Sequence, residues 1–206
     1  MFSNYLVSSC KKYRHQAVLT QAGFGLVELL ISISIMVIVS GVVLVQQSAF
    51  NSAILLRSQS YEVALDIREV QLNAVSAVTS DGSTAGFRNV LGVHFDDTTG
   101  SNQQYTIFRD SNNDSYFDSG EAFGEQGIMD PRFEIRDIRG IGGDNQVSVV
   151  FERPNFDARF FIADGLGVVT EVGASSIEID VARVGCVLAS CIRTVEVTAT
   201  GQISVQ

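Results

Sequence analysis

QAGFGLVELLISISIMVIVSGVVLV, residues 21–45, decides the architecture of this chain. From Phe24 to Val45 it runs for 22 residues with one charged side chain, Glu28. As a helix, that length spans a hydrocarbon core of about 30 Å. A carboxylate inside such a run costs roughly a few kcal/mol near mid-membrane, so it calls for a partner. On the N-terminal side, residues 1–23 hold Lys11, Lys12 and Arg14 and no acid. The positive-inside bias keeps that flank cytoplasmic and puts the rest of the chain on the other side of the membrane.

The position of Glu28 suggests its partner. If the chain were cut after Gly23, Phe24 would carry a new α-amino cation, and Glu28 would stand fifth from it. That cation could pair with the Glu28 carboxylate of a neighbouring copy. A secretory signal has an apolar stretch of about 7–15 residues and is cut after it. Here the run is longer and the candidate cut precedes it, and a plain anchor has no need of Gly-Phe-x-x-x-Glu. The segment Gly23-Phe24 through Glu28-Leu29-Leu30 resembles the class III signal of type IV pilins and type II secretion pseudopilins. The resemblance implies cleavage after Gly23 by a prepilin peptidase, N-methylation of Phe24 and assembly guided by Glu28. Gly25 departs from the pattern, since the family usually has Thr or Ser there.

Downstream, QQSAFNSAILLRSQSYEVALDIREVQLNAVSAVTS continues without Pro to residue 80. Phe50, Ile54, Tyr61, Leu65, Leu72 and Val75 recur at spacings near four and seven and predict one buried helical stripe. Arg57, Gln59, Glu62, Asp66, Arg68 and Glu69 occupy the other faces. Asp81-Gly82 supplies the stop. One helix is expected from about Phe24 to about Thr79, with Gly41 costing only about 1 kcal/mol relative to Ala.

After Gly82, short β-branched and aromatic runs alternate with Gly, Asn and Asp clusters. Strands are expected at 87–95, 103–109, 132–138, 146–152, 158–163, 167–172, 176–183 and 191–198, with a further one at 202–205. Pro131 and Pro154 fall at strand margins, where a missing donor does least harm. Alternation in FEIRDI and SIEIDVAR predicts sheets with one wet face. The fold class is α+β: a long N-terminal helix, half transmembrane and half amphipathic, packed on an antiparallel β-sheet head. The division is a leader at 1–23, a transmembrane helix at 24–45, an amphipathic helix at 46–80 and a head at 81–206. This many strands is most similar to the H-type pseudopilins and FimT-like minor pilins, whose heads carry larger two-sheet structures.

Charge restricts the partners. The chain has 14 basic and 23 acidic residues; without the three basic residues of the leader, 11 arginines face 23 acids. A lysine-free, acidic head is a poor match for holding polyanions by counterion release. Nucleic acid is therefore not an expected partner. Of three cysteines, Cys10 lies in the leader, and Cys186 and Cys191 form an even pair that reads as a small disulfide loop in an oxidising compartment.

DSNNDSYFDSGE, residues 110–121, carries the remaining chemistry. Asp110, Asn112, Asp114, Asp118 and Glu121 occupy positions 1, 3, 5, 9 and 12 of a twelve-residue calcium loop, with the Tyr116 carbonyl at position 7. The expected cofactor is Ca²⁺. Position 6 is Ser115 instead of Gly, and YTIFR before the loop reads as a strand, so this is an EF-hand-like loop between strands and not a helix–loop–helix. No nucleophile motif accompanies Ser, His and Asp, and Gly140-Ile141-Gly142-Gly143 lacks the Lys and Ser or Thr of a phosphate loop. His94 reads as a strand residue, and no enzyme is expected.

The resemblance implies a structural subunit, a minor pilin or pseudopilin of a type IV pilus or type II secretion pseudopilus. It implies other pilin subunits, the prepilin peptidase and the membrane as partners. It places the chain as a single-pass inner-membrane protein, with its head outside and in a cell-envelope or surface filament after assembly. The alternatives are a FimT-like DNA-binding minor pilin, for which Arg132, Arg136 and Arg139 are the candidate cluster, and a major adhesive pilin.

Overall fold

The computed structural model describes residues 25–76, 90–152 and 154–206, with residues 45–50 described in backbone only. The leader, Gly23 and Phe24, the expected helix end near Thr79 and the first residues of the strand expected at 87–95 lie outside the described residues. The chain divides into two units, Met1–Gln46 and Gln47–Gln206.

In the first unit, helix α1 (Leu26–Val75) begins, and its residues Leu26–Leu44 are long and apolar enough to cross a membrane. Every described side chain of that stretch is exposed. The Ser32 and Ser34 hydroxyls donate to the carbonyls of Glu28 and Leu30, each at 2.8 Å, which satisfies them inside the helix.

The second unit joins the remainder of α1 to ten strands. A six-stranded antiparallel sheet has the order β3-β2-β1-β5-β6-β7, and a four-stranded sheet has the order β10-β9-β8-β4. The strands are β1 (Leu91–Asp96), β2 (Gln104–Arg109), β3 (Gly127–Ile128), β4 (Phe133–Arg139), β5 (Gln146–Phe151), β6 (Ala158–Ala163), β7 (Val169–Val172), β8 (Ser176–Arg183), β9 (Ile192–Thr198) and β10 (Ile203–Val205). All expected strands are present; β3, two residues long, was not expected because its length holds no period.

The core lies where α1 and the inner faces of both sheets meet, around Val93, Phe95, Phe133, Ile135, Phe151 and Phe160. In β8 Ile177, Ile179 and Val181 face inside and Glu178 outside, while Asp180 and Ala182 on the outer face are also buried, Asp180 against Arg139 and Thr194. In β4 the inward set is Phe133, Ile135 and Ile138, because a bulge between Ile135 and Asp137 shifts the register. The six-stranded sheet has no such wet face at its centre: β1 and β5 are buried on both sides. A second apolar cluster of Val90, Phe108, Tyr116, Val150 and Phe161 covers the outer face.

The helix corrects one expectation. Its buried residues are Leu56, Gln59, Ser60, Val63, Ile67, Val70, Gln71 and Ala74, so Gln59, expected on a polar face, is covered and accepts the Asp130 N–H at 3.2 Å. Of the expected stripe, Ile54, Tyr61, Leu65 and Leu72 are exposed, at 50, 43, 66 and 51%, Val75 is half-buried, and the Phe50 side chain lies outside the described residues. Both sets repeat at helical spacing. The side toward the sheets takes the smaller and partly polar set, since Ser60 returns its hydroxyl to the Leu56 carbonyl at 2.9 Å and Gln71 finds partners across the head. The larger apolar set is left outward.

Candidate functional site

The loop at 110–121 is built as a closed turn rooted on the six-stranded sheet. Its neck is zipped by a bridge between Phe108 and Ala122 and by the Arg109 N–H donating to the Glu121 carbonyl at 2.9 Å. Asp110, 2% exposed, accepts the N–H groups of Asn113 at 2.6 Å and Ser115 at 2.8 Å. Asn112 and Asp114 each accept from the backbone two residues on, at 3.0 and 2.8 Å. Asn113 and Ser115 take positive φ values of 65° and 67°, so Ser115 makes the sharp turn that position 6 of a calcium loop requires. Tyr116 and Phe117 fold back onto β1 and β5: the Tyr116 hydroxyl donates to Gln146 at 3.0 Å and the Phe117 N–H donates to Ser148 at 3.2 Å.

The side chains are oxygen-rich but not assembled around one point. Among the described residues no three His, Cys, Asp or Glu side chains converge as a ligand group. Glu121, 8% exposed, accepts from the Ser111 backbone and hydroxyl at 2.8 and 2.7 Å and from the Asp118 N–H at 3.1 Å. Burial alone would push its pKa up; those donors together outweigh burial and hold it below the ordinary value. The Asn112 amide nitrogen lies between Asp114 and Asp118, donating at 2.9 and 2.8 Å. It occupies the place between two carboxylates that a cation would take. The donor chemistry fits Ca²⁺, and binding requires that amide to turn its oxygen inward.

Beside the loop, His94 is 9% exposed, 3.0 Å from the Ser148 hydroxyl and flanked by the rings of Tyr116 and Phe117, each 5.2 Å away. Burial lowers its pKa to about 4, against a smaller opposing pull from Asp96. It is a neutral packing residue with a hydroxyl partner, at the edge of a cleft that it shares with Asp96, Thr106, Tyr116 and Gln146.

At the other end of the chain, Glu28 stands in the first turn of α1, where the helix dipole favours negative charge. The Leu29 N–H donates to the Gly25 carbonyl at 3.1 Å, and the Glu28 carboxylate is exposed in the described chain. Gly23 and Phe24 lie outside the described residues. Residues 19–44 match the family model described as the prokaryotic N-terminal methylation motif.

The chain carries a prepilin-type signal.

This match supports a type IV pilin-like precursor, a structural class of protein that works with other pilin subunits and a prepilin peptidase. No curated protein and no solved structure matches the chain significantly. In the head, Cys186 and Cys191 are joined in a disulfide with their Cα atoms 6.1 Å apart. Of the arginines proposed as a DNA cluster, Arg132 is held by Asp130 at 2.7 Å and Arg136 by Glu134 at 3.2 Å. Arg139 pairs with Glu178 at 2.5 Å and with Asp180.

One feature of the head was not read from the sequence. A groove of 480 Å³ runs between α1 and the β2–β3 edge. Glu62, Asp66, Glu69 and Glu125 line it beside Tyr105 and Phe123. The Tyr105 hydroxyl donates to Asp66, and burial followed by that bond raises the tyrosine pKa. The helical spacing of Glu62, Asp66 and Glu69 was a legible signal for a one-sided acidic face.

Proposed function

We propose that the protein is a filament subunit, a minor pilin or pseudopilin of a type IV pilus or type II secretion pseudopilus. It is made with a cytoplasmic leader, cut after Gly23, N-methylated at Phe24 and polymerised through α1, with the head outside the inner membrane. The observation that carries this reading is the methylation-motif match over residues 19–44, with Glu28 in the first turn of an exposed apolar helix. A second apolar stripe supports it. Ile54, Tyr61, Leu65 and Leu72 continue an outward apolar face into the head portion of α1, a surface suited to helix–helix packing between copies.

The head adds two devices to this reading. The 186–191 disulfide closes a loop, and the 110–121 loop supplies a Ca²⁺ site through Asp110, Asn112, Asp114, Asp118, Glu121 and the Tyr116 carbonyl. Capture of DNA is disfavoured, because Arg132, Arg136 and Arg139 already spend their charge on carboxylates and nucleic-acid affinity comes from cations neutralising phosphates.

The test is intact mass and N-terminal sequencing of the protein recovered from membranes, with and without the prepilin peptidase. A chain starting at Phe24 and heavier by one methyl group is the expected result. An uncut chain, or one cut after the apolar run, overturns the filament reading.

A further inference from the structure

Two patches of the head are complementary to each other and too far apart to meet within one copy. The first is the disulfide-closed loop. Val187 is 90% exposed and Leu188 63% exposed at its tip, with Val184 at 45% beside them. Arg183, at the base of the loop, is exposed and forms no ion pair among the described residues, unlike Arg132, Arg139 and Arg159. A disulfide-tied tip with two aliphatic side chains and one free guanidinium is a preorganised ligand, because its ordering entropy is already spent.

The second patch is the 480 Å³ groove. Its walls offer Leu91 and Ile107 to aliphatic side chains, with Phe123 stacked against the Arg109 guanidinium at 4.0 Å. Glu69 and Glu125 stand there without an ion-pair partner among the described residues, and no described basic residue lines the groove. Acids against a free arginine, and apolar walls against an apolar tip, are the two halves of one interface. The loop shares a cleft with Ser52, Ala53 and Leu56, whereas the groove lies along Glu62 to Asn73. Ala53 and Asp66 are 13 positions apart on α1, about 20 Å at 1.5 Å per residue. The loop therefore cannot fill the groove of its own chain.

We infer that the loop at 183–191 of one copy docks in the acidic groove between α1 and β3 of a second copy. Such a contact joins different patches on the two partners. It is heterologous, and repeats from copy to copy unless the rotation closes a ring. The inference deepens the filament reading and rests on it only for the setting in which copies meet.

The experiment places the photo-crosslinking residue p-benzoylphenylalanine at Val187 in the full-length chain, expressed in membranes, and maps the product by mass spectrometry. The N-terminus is sequenced in the same samples. The expected product is a dimer joined to residues 123–128 or to the groove face of α1. Its yield falls about tenfold in Arg183→Glu, roughly the loss of one interfacial charge pair, and recovers in Arg183→Glu combined with Glu69→Arg. A crosslink to lipid, to another protein or to a different part of the head overturns the docking, as does a yield indifferent to Arg183→Glu. A chain cut at Phe24 with no such dimer removes the docking and leaves the filament reading intact. A charge-dependent dimer on an uncut chain does the reverse. Protease resistance of each variant, compared with the parent, shows that the head is folded.

Discussion

The side-chain amide of Gln71 donates to the carbonyl of Gly201 at 2.9 Å, tying the buried face of α1 to the turn between β9 and β10 across 130 residues of sequence. Its second hydrogen goes to the Phe156 carbonyl at 2.7 Å. One fully buried amide thus satisfies two backbone acceptors from two connections. Replacing it with Leu leaves both carbonyls without donors, at about 1–3 kcal/mol each. Gln71→Leu is expected to lower the thermal midpoint of the full chain in detergent by roughly 5–20 °C, since 1 kcal/mol is worth roughly 2–4 °C in a domain of this size. An unchanged midpoint would remove the clasp from the account. Gly201→Ala should act on the same point, because an added Cβ would lie 1.8 Å from the Phe156 carbonyl oxygen and 2.5 Å from the Gln71 amide, at a φ of +78°.

Glu28 is expected to separate processing from assembly. Glu28→Val removes the lone charge of the apolar run without touching Gly23 or Phe24. Cleavage should persist while incorporation into filaments drops by about a hundredfold or more, the scale set by leaving one partner of a desolvated ion pair behind. The readout is the ratio of mature chain in sheared filaments to mature chain in membranes. Equal ratios for the parent and the variant would exclude a pairing role.

The 110–121 loop makes a calcium prediction and a backbone prediction. Saturating Ca²⁺ should raise the stability of the parent chain by about 2.7 kcal/mol at 100 times the dissociation constant, measured against a chelator. Asp114→Asn with Asp118→Asn should erase that response. Ser115 holds φ 67°, where a side chain is strained. Ser115→Gly should therefore stabilise the loop by about 0.5–1 kcal/mol without metal and tighten the metal response. Identical midpoints in calcium and chelator count against the site, whatever Ser115→Gly does.

His94 sets a pH dependence. Burial depresses its pKa from 6.5 to about 4, so between those values the unfolded chain binds a proton that the folded chain refuses. Stability is full above pH 6.5 and falls as the pH drops toward 4, by about 3 kcal/mol in all at 1.36 kcal/mol per unit. His94→Leu should flatten that part of the curve while lowering stability by a constant amount, since the Ser148 hydroxyl keeps the Phe117 N–H but loses its imidazole partner. Chemical denaturation at several pH values, with chelator present, reads both effects. A slope that survives in His94→Leu assigns the acid sensitivity elsewhere.

Much of the fold was open to sequence reading because its signals are local. Strands β4 and β8 carry period-two alternation in FEIRDI and SIEIDVAR, between Asp130 and Gly140 and between Gly173 and Gly185, and the first turn of α1 carries a motif. What was not legible was decided by packing. The outward stripe of Ile54, Tyr61, Leu65 and Leu72 has larger apolar residues than the buried one, and only the return of the Ser60 hydroxyl to its own helix and the partners of Gln71 across the head show why the smaller set went inside. The expected wet face of the six-stranded sheet is dry because Tyr116 and Phe117 return from a loop whose sequence reads as solvated. The calcium spacing was visible at Asp110, Asn112 and Asp114, but the insertion of the Asn112 amide between Asp114 and Asp118 is a three-dimensional fact.

The two apolar faces of α1 confine the neutral ground of its head portion to the polar flanks between them, such as Arg57, Ser58 and Arg68. An ordinary surface helix tolerates change over half its circumference. Between Ile54 and Ala74, one side answers to the sheets and the other stands ready for whatever lies outside. Substitutions on the first side would show as misfolding, and substitutions on the second as well-folded chains that fail among their own kind. The helix is subject to two separate kinds of selection, and its rate of divergence should be set by whichever is stricter at each position.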